Sequence, residues 1–360
     1  MDDAAILDCD DEWDNFCNDE PSILVEDEQI QLQTSEFPKC SKLYISTQTK
    51  ISYLNKPINL AEVFWKIKVN PYSLPESGVI KKQMKFNFTN EEQIKLYRKK
   101  VDVEKYYDEY IIKQIRNPEG KVKFKDVRKI SIGLAKKDIL SYRRKKKGAF
   151  YNCFVLILRL WDDVSSTYKE SHVKVFNTGK LELPGIQCNI FLKKILNTLV
   201  MILNKNCGLD IKCLNDKTET VLINSNFNCG FYINREKLYD ILKFNYRFQT
   251  SYDPCSYPGI MSKFYYNHLL DEQTGIKPTH TAEQTGKINE VSFMVFRTGS
   301  VLIVGKCEED TLMEIYNNIN VIITNEYLNI NQKSANGIES KKSVPKKKKV
   351  RRKEIIIIEE

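Results

Sequence analysis

Two phenylalanines, Phe176 and Phe296, stand in the same short phrase: Val175, Phe176, Thr178, Gly179 and Gly185 recur 120 residues later as Val295, Phe296, Thr298, Gly299 and Gly305. A flat aromatic ring held beside a tight Thr-Gly turn, twice, is poorly explained by core packing alone. Lysines and arginines surround these phrases, and residues 39–360 hold all 56 of them against 34 acids, a net +22. That excess suits a polyanion-binding body; its bland alternative is a solvated, solubilising surface. Residues 1–38 are the reverse, with thirteen acids and no Lys or Arg. Other chemistries find little footing. Ten cysteines occur without a CxxC pair, and His172, His268 and His280 stand at no metal-ligand spacing. Phosphate-cradling glycine motifs and a nucleophile with a matching His signature are missing, so neither a metal centre, a cofactor nor an enzyme is expected. The longest apolar run, residues 153–158, is far short of the roughly 20 residues that span a bilayer. No membrane association is expected, and the cysteines read as reduced and intracellular.

The elements that must position these rings are themselves repeated. Each phrase reads as strand, turn, strand and glycine exit. After it comes a helix, with Ile195, Leu196, Leu199, Val200 and Leu203 at helical spacing in one half and Leu312, Ile315, Tyr316 and Ile319 in the other. Upstream, strands are predicted at 43–49 and 221–227, followed by helices capped by Asn59 and Asn234. These upstream elements are offset by 175 to 178 positions and the hairpins by 120, so the first half carries close to 58 extra residues. The organisation expected is an acidic tail (1–38), a first repeat (39–204) with a basic insertion at about 81–147, a linker (205–219), a second repeat (220–330) and a basic tail (331–360). Within the insertion the spacing predicts a helix around 91–115.

The phrase at 251–260, Ser-Tyr-Asp-Pro-Cys-Ser-Tyr-Pro-Gly-Ile, together with the two hairpins, resembles the TATA-box-binding protein family, and the blocks at 145–159 and 172–187 resemble its divergent members in large nucleocytoplasmic DNA viruses. The resemblance covers roughly residues 40–330. It implies an α+β fold in which two pseudo-symmetric repeats form one curved antiparallel sheet, a saddle, with helices on the convex face. It implies a transcription initiation factor that binds double-stranded DNA through the minor groove, bends it with inserted aromatic pairs, and recruits a transcription factor IIB-like protein and RNA polymerase. The wedge would be Phe296 with Tyr257 in the second repeat, and Phe176 with Phe150 or Phe154 in the first. Alternation from Phe176 and Phe296 puts Lys174, Thr178, Lys180, Glu182 and Pro184, then Met294, Thr298, Ser300, Leu302 and Val304, on the DNA side, with Leu181, Leu183, Val301 and Ile303 under the helices. Arg159 and Lys263 are phosphate-contact candidates. The family's central asparagines are replaced by Leu43 and Val221, and Glu182 must pair with Lys174 or Lys180. The alternative function is a scaffold of the same fold that binds RNA or protein, for which buried rather than exposed Phe176 and Phe296 would speak. The acidic start reads as an interaction tail able to fold back over the basic face. Lys-Lys-Lys-Lys-Val-Arg-Arg-Lys at 346–353 reads either as a nuclear localisation signal or as a tail that raises DNA affinity, leaving nucleus or cytoplasmic viral factory open.

Overall fold

A computed structural model describes residues 38–140, 151–208, 210–278 and 287–332. The acidic start, the run 143–147, Phe150, His280 and the basic end lie outside the described residues, and with them the readings of both tails. The unit from Pro38 onwards is built on one open antiparallel sheet of twelve strands, ordered β3-β4-β2-β5-β6-β7-β1-β8-β12-β11-β10-β9. These strands are β1 (Tyr44–Tyr53), β2 (Gly78–Phe88), β3 (Tyr107–Arg116), β4 (Phe124–Gly133), β5 (Cys153–Asp162), β6 (Thr167–Phe176), β7 (Lys180–Ile186), β8 (Glu219–Asn228), β9 (Gln249–Ser251), β10 (Ile260–Asn267), β11 (Ile288–Val295) and β12 (Ser300–Gly305). The helices are α1 (Leu60–Lys66), α2 (Glu91–Val101), α3 (Lys136–Leu140), α4 (Asn189–Cys207), α5 (Arg235–Asp240), α6 (Glu309–Asn325) and α7 (Tyr327–Ile330). This is the α+β, two-repeat, single-sheet architecture expected from the sequence.

Alternation along the strands decides which face the long helices cover. Leu156, Leu158, Val173, Val175, Leu181 and Leu183 pack with Leu192, Ile195, Leu199 and Leu203 of α4 in one core. Phe264, Val291, Phe293, Val301 and Ile303 pack with Leu312, Ile315, Ile319 and Ile323 of α6 in the other. The other face of the sheet is open except over part of β2 and β5, where Ala135, just before α3, and Tyr72 pack on Ile80 and Ile157.

The repetition extends to individual hydrogen bonds. The Leu54 N–H donates to the Gly179 carbonyl at 2.8 Å, and Cys229 does the same to Gly299 at 2.9 Å. Ile58 donates to Asn177 and Ile233 to Arg297, each at 2.9 Å. Asn59 caps α1 by accepting from the Glu62 N–H at 3.3 Å, and Asn234 caps α5 by accepting from Lys237 at 3.2 Å. Every one of these pairs obeys the 175- or 120-residue offset.

The insertion takes a different form from the one expected. Residues 107–116 are a strand, not the tail of a helix: α2 stops at Val101, and the Tyr-Asp-Glu-Tyr-Ile-Ile stretch that follows is aromatic and β-branched. Residues 78–88 belong to the repeat itself, because β2 pairs with β5 as β9 pairs with β10. The added elements are α2, β3, β4 and α3, and they extend the sheet by two strands beyond β2.

The hairpin turns tolerate little change. Gly299 has φ +81°, and an added Cβ would lie 2.4 Å from the Phe231 carbonyl oxygen; Gly185 has φ +76° but open space around it. Gly185→Ala is expected to cost about 1 kcal/mol from its left-handed backbone alone, and Gly299→Ala at least about twice that; chemical denaturation of both variants checks the order.

Candidate nucleic-acid interface

The open face is assembled from the strand residues that alternate with the core. Around the first hairpin it carries Lys174, Phe176, Lys180 and Glu182. Phe176 closes β6, and the Gly179 N–H turns back onto its carbonyl at 3.0 Å, as Gly299 does onto Phe296. The Phe176 ring is half-buried, with the Lys180 ammonium 5.7 Å from its centroid. Lys174 and Glu182 are direct cross-strand partners and form an ion pair at 2.6 Å, which neutralises the acid on this face. Thr178 and Thr298 are exposed at the two turn tips.

In the second half the Tyr257 and Phe296 rings meet edge to face at 5.9 Å. Phe296 is only 8% exposed, so it does not stand free in solvent as a wedge ring was expected to. It nevertheless lies outside the helix-side core and leans on Gly259, where a Cβ would come within 3.0 Å of its ring. Leu302 is 4% exposed, flanked across the strands by Met294 and Asn226, and Val304 is half-buried beside Ser292 and Asn224.

Two sequence readings change, and a third candidate gains a partner. Phe154 is fully buried in the helix-side core, 6.4 Å from the Phe64 ring, because β5 turns its even-numbered residues toward α4. It is a core residue. Arg159 is 7% exposed and donates to the carbonyls of Tyr72 (2.8 Å), Glu76 (3.2 Å) and Leu74, pinning the 72–76 loop rather than reaching outward. Lys263 is on the open face, in an ion pair with Glu290 at 2.5 Å. Phe150 lies outside the described residues.

Two features escaped sequence reading. Cys153 is the Cα partner of Phe176, and Ile260 is that of Val295, which puts Gly259 opposite Phe296. The counterpart of Tyr257, two residues before Gly259, is therefore Tyr151. It is 64% exposed, with the Lys85 ammonium over its ring. No signal in the sequence fixed this register, since the blocks before the two strands differ. The second feature is a column of asparagines, Asn224, Asn226 and Asn228, set by period-2 spacing along β8 and facing Val304, Leu302 and Ser300. The Asn224 side-chain oxygen is buried and carries no hydrogen bond. Leu43, by contrast, packs into the second core.

Apolar and amide groups with aromatic rings at the ends suit a groove floor of hydrogen-bond acceptors better than they suit bond-breaking chemistry. Burial pushes the Cys153 and Cys307 thiols up to about 11, which keeps them protonated and poorly nucleophilic near neutral pH. Among the described residues no three His, Cys, Asp or Glu side chains come together as a metal site, and no helix is long and apolar enough to cross a membrane.

An α+β sheet of two repeats with one helix-covered face and one open, polar-aromatic face defines the class. The chain resembles the TATA-box-binding-like proteins. A curated protein described as TATA-box-binding protein-like, from Acanthamoeba polyphaga mimivirus, is 24% identical over 207 residues, which is 53% of this chain and 53% of that protein. The chain thus spans about half the length of the curated relative it matches. Among solved structures, Methanococcus jannaschii TBP is similar with a TM-score of 0.37 at 12% identity, over 79% of this chain and 99% of that one. No family model matches the chain.

The contrast between the two first-half phenylalanines is measurable. Phe154→Ala is expected to cost about 3–5 kcal/mol of folding stability, and Phe176→Ala no more than about 1–2 kcal/mol because its ring is only half-buried. Urea denaturation of the two variants separates a core ring from a surface ring.

Proposed function

We propose that the open face binds double-stranded DNA along its minor groove and bends it, and that the protein acts in this way as a transcription initiation factor, with the helix side left to receive a transcription factor IIB-like protein and RNA polymerase. The observation that supports this most is the pseudo-symmetric placement of aromatic residues: Phe176 and Tyr151 at one end of the open face, Phe296 and Tyr257 at the other, with Val304, Leu302 and the asparagines between. Base steps pried apart at two points cost stacking energy and return a bent duplex that covers more protein surface. Lys180 and the basic character of residues 39–360 supply the phosphate attraction. On this reading Thr178 and Thr298 meet the sugar-phosphate edges, while Arg159 acts only by holding its loop.

One observation favours the rival reading, a scaffold for RNA or protein: Phe296 and Leu302 are covered in the free protein. If DNA is the ligand, the covered Phe296 must become exposed on binding, an opening cost that the half-buried Phe176 does not carry to the same extent.

The test is a mobility-shift titration of the full chain against a randomised duplex library at several salt concentrations. Duplex binding that falls steeply with salt is expected; a folded protein that binds no duplex at low salt contradicts the proposal. Fluorescence energy transfer across an end-labelled duplex is expected to show less bending with Phe176→Ala and with Phe296→Ala, and the Phe296 variant is expected to be the less stable of the two.

A further inference from the structure

The inserted strands continue the open face past the first-repeat aromatics, and they do so with lysines. Registers place Lys85 of β2 directly opposite Lys129 of β4. Both alternate with core residues, Met84 and Phe86 on one strand and Ile130 on the next, so both ammonium groups stand on the open face. Lys113 of β3 is paired with Val127, between Lys125 and Lys129, and Ile115 is paired with Lys125. Four lysines on three adjacent strands thus share one surface, which begins beside Tyr151 under the Lys85 ammonium. The acids on this side include Asp138, engaged by Lys81 at 2.6 Å, Glu170, which accepts from the Lys136 N–H at 3.0 Å, and Asp108, whose charge acts on Lys129.

Like charges directly opposite one another weaken a sheet. The Lys129 ammonium is held below its ordinary range, chiefly by burial and then by the neighbouring Lys81, against the opposing pull of Asp108 and Asp138. Val127, on the same face and opposite Lys113, is 2% exposed. A row of cations kept in this arrangement is stabilised when a polyanion lies across it. Among the described residues the second repeat has no equivalent, since β9 ends the sheet directly beside β10.

We propose that the inserted strands β4 and β3, with β2, form a lysine platform for the phosphates of the same duplex, extending its contact beyond the first-repeat end only and so giving the complex a direction along DNA. This rests on the reading of the open face as a duplex-binding surface. The two added strands at about 4.8 Å spacing extend the surface by about 10 Å, or about three base pairs of axial length.

The experiment measures affinity and salt dependence for an A/T-rich duplex of about 12 base pairs, for the same duplex lengthened by about six base pairs at one end, and for one lengthened at both. The full chain is expected to bind the one-end extension about tenfold more tightly than the short duplex, with no further gain from the second end. The Lys85→Gln, Lys125→Gln, Lys129→Gln triple variant is expected to lose that gain and to lower the log-log salt slope by about two to three. A control triple variant with the same charge change on the helix side (Lys95→Gln, Lys99→Gln, Lys237→Gln) is expected to keep both. The single Lys129→Gln change should lower the slope by about 0.9 while raising the melting temperature, a pairing that a merely structural lysine does not produce. Binding to the short duplex with no gain from extension, or equal losses in both triple variants, overturns the platform and leaves the open-face reading standing. Failure of the full chain to bind any duplex overturns both.

Discussion

Everything on the open face depends on the seam between β1 and β8. Each repeat contributes its first strand to the middle of the sheet, and their antiparallel pairing, with two register shifts, is what turns two halves into one surface. Side chains reinforce it: Ser46 donates to the Asn224 carbonyl at 2.9 Å, Lys50 to the Thr220 hydroxyl at 2.6 Å, and Gln48 to Glu309 at the start of α6 at 3.0 Å. The lead-in to β1 is held from the second half, with Tyr316 donating to the Ser41 carbonyl at 2.9 Å. A shift of one residue in this pairing would turn β1's side chains to the wrong faces and break the continuity between the two hairpins.

The two halves are alike in backbone and unlike in finish. The same turn, the same docking of the preceding loop and the same asparagine cap appear in both, yet Phe176 is half-buried beside Lys180 whereas Phe296 is covered beside Tyr257. The first half alone continues into β4 and β3. Pseudo-symmetry supplies two equivalent anchor points, and the differences between them give a ligand two distinguishable ends.

Much of this was legible in the residues. Recurring turn phrases located the hairpins, helical spacing located α4 and α6, and alternation from Phe176 and Phe296 assigned Leu181, Leu183, Val301 and Ile303 to the core, where they are fully buried. Glu182 on a basic face demanded a lysine, and Lys174 is there. What failed did so for physical reasons. Alternation within one strand says nothing about register against the next, so Phe154 was a candidate equal to any other until β5 was seen paired with β6. Arg159 reads as a surface cation until the carbonyls of 72–76 close around it. The asparagine column on β8 is period-2 and polar, but only the position of β8 at the seam makes it central. The insertion was found by counting, and its joining of the sheet rests on long-range pairing that local composition does not encode.

The account's central claim is that the open face reads a duplex from its minor groove. The most direct measurement is competition between a duplex selected from the random library and the same duplex with its A·T pairs replaced by inosine·cytosine. That exchange alters the major-groove pattern and leaves the minor-groove acceptors in place. Affinities within about twofold of each other are expected on this account. Loss of binding on the exchange places the recognition in the major groove and contradicts it.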